Sequence, residues 1–283
     1  MATALASIAE IERELGTQRM DAGSGEPMQR TSVMTHVAWV PEQWVEAAED
    51  VLAGLAERHP SRTIVLVPEP DAENGIEAKV EVDCYPVGQD QKVAMETIRL
   101  KLCGNRVQAP ASVVEPLLLP DLPVFLRWRG LPSFGESPFE QLVDTVDRLI
   151  VDSTEWPGLP APYERLSEIF DRVAVSDIAW SRTSRWRTEL ASLWPGIADI
   201  QRIKVTGTEA QAQLLAGWLR SRLDREIALE HEDADRLTGV EIDGEPAPFP
   251  PGDPPAPADL LSDELERFTR DRVYEDAVNA TRM

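Results

Sequence analysis

TSVMTHVAWV, Thr31 to Val40, is a β-branched and apolar run, and RTIVLV, Arg62 to Val67, is a second one. Between them Pro41 opens a helical stretch that runs to Arg58. Runs that are apolar without alternation read as strands buried on both faces. Proline suits the first turn of a helix because its missing N–H has no partner to lose there. Strand, helix and strand in succession make a β-α-β unit, which predicts parallel strands joined by a right-handed crossover. The unit sets the fold class as α/β.

Working outward, the hydrophobic period changes to two from Gly75. Ala78, Val80, Val82 and Cys84 alternate with Lys79, Glu81 and Asp83, and after the turn PVGQD (Pro86 to Asp90) Ile98, Leu100 and Leu102 alternate with Thr97, Arg99 and Lys101. That pattern predicts an antiparallel hairpin with one wet face. A helix over Pro110 to Leu119, a strand over Leu122 to Trp128, a helix over Pro138 to Asp147 and a buried strand over Arg148 to Asp152 follow. Parallel strands alternating with helices, together with the hairpin, predict a mixed, doubly wound, Rossmann-like sheet.

Beyond the prolines at 157, 160 and 162 the pattern becomes helical, over Tyr163 to Val173 and Asp177 to Leu193. Ile200 to Val205, Thr208 to Leu223 and Ile227 to Leu229 then read as a second strand-helix-strand unit, in which Thr208 and Gln211 form a capping box. Pro246 to Ala258 holds seven prolines in thirteen positions, a composition expected of a semi-rigid linker. A last helix is expected over Ser262 to Val278, and Ala2 to Leu15 reads as a short amphipathic helix broken at Asp21 to Gly25. The expected organisation is an N-terminal helix and linker (1–29), an α/β sheet domain (30–160), a smaller α+β domain (161–245) and a Pro-rich acidic C-terminal tail (246–283) that moves independently.

The 50 acidic against 28 basic residues give a formal net charge of -22. Such a surface disfavours phosphate backbones and anionic membranes, so neither nucleic acid nor membrane is an expected partner. No run approaches the ~20 apolar residues that span a bilayer, and the N-terminus lacks the basic region of a secretory signal. Two cysteines suit a reducing compartment, and a cytoplasmic protein is expected. From Asp224 onward 17 acidic and 6 basic residues carry half of the net charge.

Open α/β sheets bind ligands outside the C-terminal ends of their strands. Arg127, Trp128 and Arg129 end one predicted strand, and Asp152 and Ser153 end another, though these last two would equally cap the next turn. Whichever face is buried, Arg127-Trp128-Arg129 should leave one of its members exposed. Within Asp177 to Leu190, Trp186 shares a helical stripe with Leu190 and Leu193 and is expected in the core. Arg182 and Arg185 share a face, Arg185 can pair with Glu189, and Arg187 points elsewhere. Arg127, Trp128, Arg129, Trp180, Arg182 and Arg185 are therefore the expected partner contacts, since Trp and Arg are enriched at contact surfaces. The sequence has no G-x-G-x-x-G, no Gly-Lys-Ser/Thr phosphate loop and no G-x-S-x-G elbow, and the acidic stretch HEDAD (His231 to Asp235) lacks the spacing of a cation site. No catalytic, cofactor-binding or metal-ligating residue is assigned.

Three blocks combine Trp, Arg, Pro and Asp in fixed order: LPDLPVFLRWRG (Leu119 to Gly130), LVDTVDRLIVDSTEW (Leu142 to Trp156) and DIAWSRTSRWRTEL (Asp177 to Leu190). Through them the chain resembles the glucose-6-phosphate dehydrogenase assembly protein family, OpcA, from about Arg30 to Leu229. The resemblance implies a non-catalytic assembly factor and allosteric activator that binds glucose-6-phosphate dehydrogenase and supports oxidative pentose phosphate flux. The alternative from the residues alone is an α/β enzyme or sensor that holds a small phosphorylated metabolite in the sheet crevice on Arg127, Arg129 or Ser153. Family members in photosynthetic bacteria are associated with thioredoxin control. Here the hairpin register separates Cys84 from Cys103 by roughly 30 Å, against the about 7 Å between Cα atoms that a disulfide tolerates, so that feature is not expected.

Overall fold

The computed structural model describes residues 7–22, 32–55, 58–87 and 91–282. Of the break expected over Asp21 to Gly25, Asp21 and Ala22 still belong to the first helix, while residues 23–25 and the turn residues at 88–90 lie outside the described residues. The chain is a mixed α/β protein with a seven-stranded sheet and a second, four-stranded sheet. It forms two compact units divided between Leu149 and Ile150, earlier than the boundary expected near residue 160.

In the first unit the elements are α1 (Ile8–Ala22), β1 (Met34–Trp39), α2 (Val45–Leu55), β2 (Ser61–Glu69), β3 (Gly75–Val87), β4 (Gln91–Cys103), α3 (Ala111–Val114), β5 (Val124–Trp128) and α4 (Ser137–Thr145), with β6 (Arg148–Val151) at the division. The strand order of the larger sheet is β3-β4-β2-β1-β5-β6-β7, where β7 is Ala174–Asp177. β1 pairs in parallel with β2 and with β5, and β2 with β4, while β3 and β4 form the antiparallel hairpin. The parallel β1/β2 pair, from Met34 opposite Ser61 to Trp39 opposite Leu66, is what the β-α-β reading predicted. All six residues of β1 are buried, which is why its sequence has no polar period. Ala38, Val40, Val65 and Val67 pack against Val45 and Leu52 of α2 and against Trp44 in the turn that precedes it.

Helix α1 continues past the expected Leu15 to Ala22 and docks on the hairpin. Ile11 and Leu15 are fully buried, and the Gln18 side-chain amide donates to the Val80 carbonyl at 3.1 Å. Arg19 and Arg62 both pair with the buried Glu96, Arg62 at 2.7 Å. Burial opposes ionisation of Glu96, but the two guanidinium groups outweigh it and hold the carboxyl below its usual range. In the hairpin Cys84 stands opposite Ala94 and Cys103 opposite Gly75, so the two cysteines sit far apart along the ladder. Cys103 follows Lys101 in the alternation, which would put it on the wet face, but it is buried, and burial followed by the neighbouring Glu69 raises its thiol pKa.

The second unit contains α5 (Ala161–Ser167), β7, α6 (Ile178–Arg182), α7 (Ser184–Ser192), β8 (Arg202–Gly207), α8 (Glu209–Leu223), β9 (Ala228–Asp233), β10 (Gly239–Ile242), β11 (Glu245–Pro246), α9 (Pro257–Leu265) and α10 (Arg272–Asn279). Its sheet has the order β11-β10-β8-β9, with β8 parallel to β9 and antiparallel to β10. The capping box forms as predicted, with Thr208 accepting from Gln211 N–H and Gln211 from Thr208 N–H. The first three residues of HEDAD complete β9, with the His231 ring 2.8 Å from the Gly207 carbonyl.

The C-terminal segment is part of this unit and not an independent tail. Leu260, Leu261, Leu265, Tyr274, Ala277 and Val278 are buried, while Phe268 and Val273 remain exposed. A Cβ on Gly217 of α8 would collide with the Ala277 carbonyl, so α10 approaches the α8 backbone as closely as a glycine permits. Two short helices replace the single one expected over Ser262 to Val278. Seven prolines and a strong negative charge suggested a solvated tail, but apolar residues three and four apart give each short helix a face to bury.

Candidate functional site

The strand order reverses at β1, which has β2 on one side and β5 on the other; this is where open α/β sheets take ligands. Here aromatic side chains hold that place. Trp39 and Trp128 are opposite one another in register, with ring centroids 4.8 Å apart and planes 10° apart. Phe139 meets Trp128 edge-on at 5.1 Å, and Phe134 meets Phe139 at 5.2 Å. The Arg129 guanidinium lies 4.6 Å over the Trp44 ring, and Arg129 N–H donates to the Trp39 carbonyl at 3.0 Å. Gly130, at φ 75°, passes close to the Trp44 indole nitrogen.

Of the three residues expected at this crevice, Arg127 and Trp128 are buried and only Arg129 is partly open. Trp128, expected to offer a contact surface, is buried in its stack on Trp39. Nearby, His36 is fully enclosed and its pKa is lowered to about 4, first by burial, then by Arg127 and His59. A neutral buried imidazole beside an arginine has little use as a proton acceptor for an outside substrate.

In the second unit β7, which sequence reasoning missed, places Asp177 at the N-cap of α6, where it accepts from Ala179 N–H at 2.9 Å. Ser153 donates from its backbone to one Asp177 oxygen at 3.0 Å and from its hydroxyl to the other at 2.6 Å. Tyr163 is 2.8 Å from the Ser153 hydroxyl, and Tyr274 donates to Asp177 at 3.3 Å. Burial first, and then Asp152, raises the Asp177 pKa to about 7; burial and Asp177 push both tyrosines well above their usual value. Ser153 is completely buried, so this network holds β6, β7, α5 and α10 together and offers no nucleophile to solvent. Asp152 caps the following turn through Thr154 N–H at 3.2 Å and accepts from Arg182 at 2.8 Å.

Trp180, also an expected contact, is buried. Its indole N–H donates to Asp271 at 3.0 Å and the Arg187 guanidinium covers its ring at 3.4 Å, so both residues serve the interior. Burial lowers the Arg187 pKa to about 10. The helix expected from Asp177 to Leu193 breaks at Thr183, and the Arg185–Glu189 pair does not form. Arg185 instead donates to the carbonyl of Pro250 at 3.0 Å, and to those of Pro251 and Gly252. Trp186 is buried, as its stripe predicted, against Phe249 at 5.4 Å.

These contacts fold the proline-rich segment over α7 and border a partly open cavity of about 620 Å³. Arg182, Arg185 and Arg236 line it, with Trp186, Phe249, Leu237 and several prolines as apolar walls. The structure thus brings together Arg182 and Arg185 of the six expected contacts. Arg236 and Phe249 were overlooked; the signal was an aromatic residue inside the proline run, which a free linker does not need.

Among the described residues no helix is long and apolar enough to cross a membrane. Residues 52–169 match a family model described as the N-terminal domain of the glucose-6-phosphate dehydrogenase subunit, and residues 173–249 match one described as the C-terminal domain of that same subunit. The chain is 25% identical over 281 residues to a Synechococcus elongatus protein named for OpcA and the OxPP cycle, a match that covers 88% of this chain and 62% of that protein. Relatives of the same name from Synechocystis and Nostoc punctiforme are 26% and 27% identical over 60% and 64% of this chain. Those matches take in 38% and 42% of the relatives' own lengths, so the chain spans less than two thirds of each relative. With both domain models matched in order over most of its length, the chain belongs to the OpcA family of glucose-6-phosphate dehydrogenase assembly proteins.

Proposed function

We propose that this chain is a non-catalytic, cytoplasmic assembly factor that binds glucose-6-phosphate dehydrogenase and activates it allosterically, in support of oxidative pentose phosphate flux. Membership of a family whose two domain models are described as parts of a subunit of that dehydrogenase carries the reading. The stacking of Trp39 on Trp128 supports it, because it fills the strand-end position that a small-molecule enzyme of this architecture keeps open. The enzyme-or-sensor alternative, with a phosphorylated ligand on Arg127, Arg129 or Ser153, is not favoured for the same reason, and because Ser153 is enclosed. Of the expected contacts we retain Arg129, Arg182 and Arg185 as candidates for the dehydrogenase-facing surface, while Arg127, Trp128 and Trp180 are buried. Co-sedimentation with the purified cognate dehydrogenase tests the reading: a complex of fixed stoichiometry is expected, and independent sedimentation of the two at micromolar concentrations would refute it.

A further inference from the structure

We propose that the cavity beneath the proline-rich segment of the second unit binds a small organic phosphate. The chain carries a net charge of -22, yet three arginines, Arg182, Arg185 and Arg236, converge on this one cavity, and Asp253 is the single carboxylate among its lining residues. Two of the three are already held in place. One terminal nitrogen of Arg182 is fixed by Asp152 at 2.8 Å and by Thr154 at 3.3 Å, which leaves its Nε and its other terminal nitrogen without a protein partner among the described residues. One terminal nitrogen of Arg185 is fixed by the carbonyls of Pro250, Pro251 and Gly252, which leaves the rest of its fork free and its charge without a carboxylate among the described residues. Arg236 is exposed and has no ion pair or hydrogen bond among the described residues.

A guanidinium anchored at one nitrogen loses little further freedom when its remaining N–H groups meet an anion, and its fork matches phosphate oxygens in pairs. The cavity, at about 620 Å³, has the size of a pocket for a metabolite and not of a groove for a folded partner. Its walls give the ligand a second character. Trp186 and Phe249 meet edge to face at 5.4 Å, and with Leu237, Leu260 and the prolines they offer an apolar surface to a sugar ring or a base. A lining that combines three arginines with aromatic and proline surface fits a phosphate ester better than a bare anion.

The site shares Arg182 and Arg185 with the surface proposed for the dehydrogenase, but it is read from this chain alone, and a titration without dehydrogenase lets the two readings fail separately. Isothermal titration calorimetry of the full chain, without dehydrogenase, against a nucleoside monophosphate, a hexose monophosphate and inorganic phosphate tests it. One of the two organic phosphates should saturate one site per chain and bind more tightly than inorganic phosphate. Arg236→Ala should weaken that binding at least about tenfold, equivalent to about 1.4 kcal/mol, with no change in melting temperature because its side chain supports nothing. Arg185→Ala should weaken it as well, although it also loosens the wall. Absence of saturable heat for all three probes up to about 10 mM, equal affinity for inorganic and organic phosphate, or full affinity in Arg236→Ala would each overturn the proposal.

Discussion

Trp39 and Trp128 stand opposite one another on neighbouring parallel strands, and their rings stack 4.8 Å apart at the strand ends where the sheet order reverses. The pair turns what a Rossmann-like sheet would use as a ligand crevice into core. Trp128→Ala should therefore cost about 3–5 kcal/mol, as loss of a buried large side chain does. Urea unfolding of the variant checks this, and a change under about 1 kcal/mol would mean that the stack is not part of the core.

The buried Asp177 gives the second unit a pH dependence of definite sign. Its folded pKa, about 7, lies above its ordinary value of 3.8, so the folded state holds a proton that the unfolded state has released. That contribution is complete below 3.8 and is lost as pH rises through about 7, up to about 4 kcal/mol in all. His36 in the first unit runs the other way: with its folded pKa lowered to about 4 from 6.5, its contribution is present above 6.5 and is lost as pH falls toward 4. Asp177→Asn carries amide donors where the protonated acid has its hydroxyl. It should flatten the fall in stability between about pH 4 and about pH 7, measured by denaturant unfolding at each pH. An unchanged slope would show that Asp177 is ionised in the fold.

The close approach of α10 to Gly217 makes the C-terminal helices structural. Gly217→Ala should lower stability by about 1–3 kcal/mol by pushing the Ala277 backbone away. A chain ending at Gly244 should lose cooperative unfolding of its second unit, because Trp180, α8 and the Asp177 network lose their covering residues. A truncated chain with an intact second transition in calorimetry would restore the independent tail that charge and proline content suggested.

Arg185 fastens the proline-rich segment through three carbonyl acceptors. Its replacement by Ala should cost about 1–3 kcal/mol and increase proteolytic cleavage between 246 and 256, read by mass spectrometry. An unaltered cleavage rate would show that the segment is held by Phe249 on Trp186 alone.

The strands and the capping box were legible because their signals are local: apolar runs without a period, alternation of two, and Thr208 three residues before Gln211. β7 escaped because it is four residues long and joins directly to α6, with Asp177 as the cap. The candidate site was legible in residue type and not in exposure. Arg127, Trp128 and Trp180 carry the chemistry of a contact surface, but whether such side chains face water depends on partners distant in sequence. Trp128 meets Trp39 across the sheet and Trp180 meets Asp271 ninety-one residues on. Arg185 likewise reaches the proline segment and leaves its helical neighbour Glu189, since three fixed carbonyls outweigh an exposed pair.

Steady-state kinetics of the cognate glucose-6-phosphate dehydrogenase, titrated with this chain, test the central claim most directly. Activation requires that the chain bind the active conformation more tightly than the inactive one, and a coupling of about 1–3 kcal/mol corresponds to roughly 5–150-fold. The expected result is a saturable rise in kcat or fall in KM for glucose 6-phosphate that levels off at the stoichiometry of the complex, with no turnover by the chain alone. Kinetics that stay unchanged at saturating chain, while co-sedimentation shows the dehydrogenase fully bound, would contradict it.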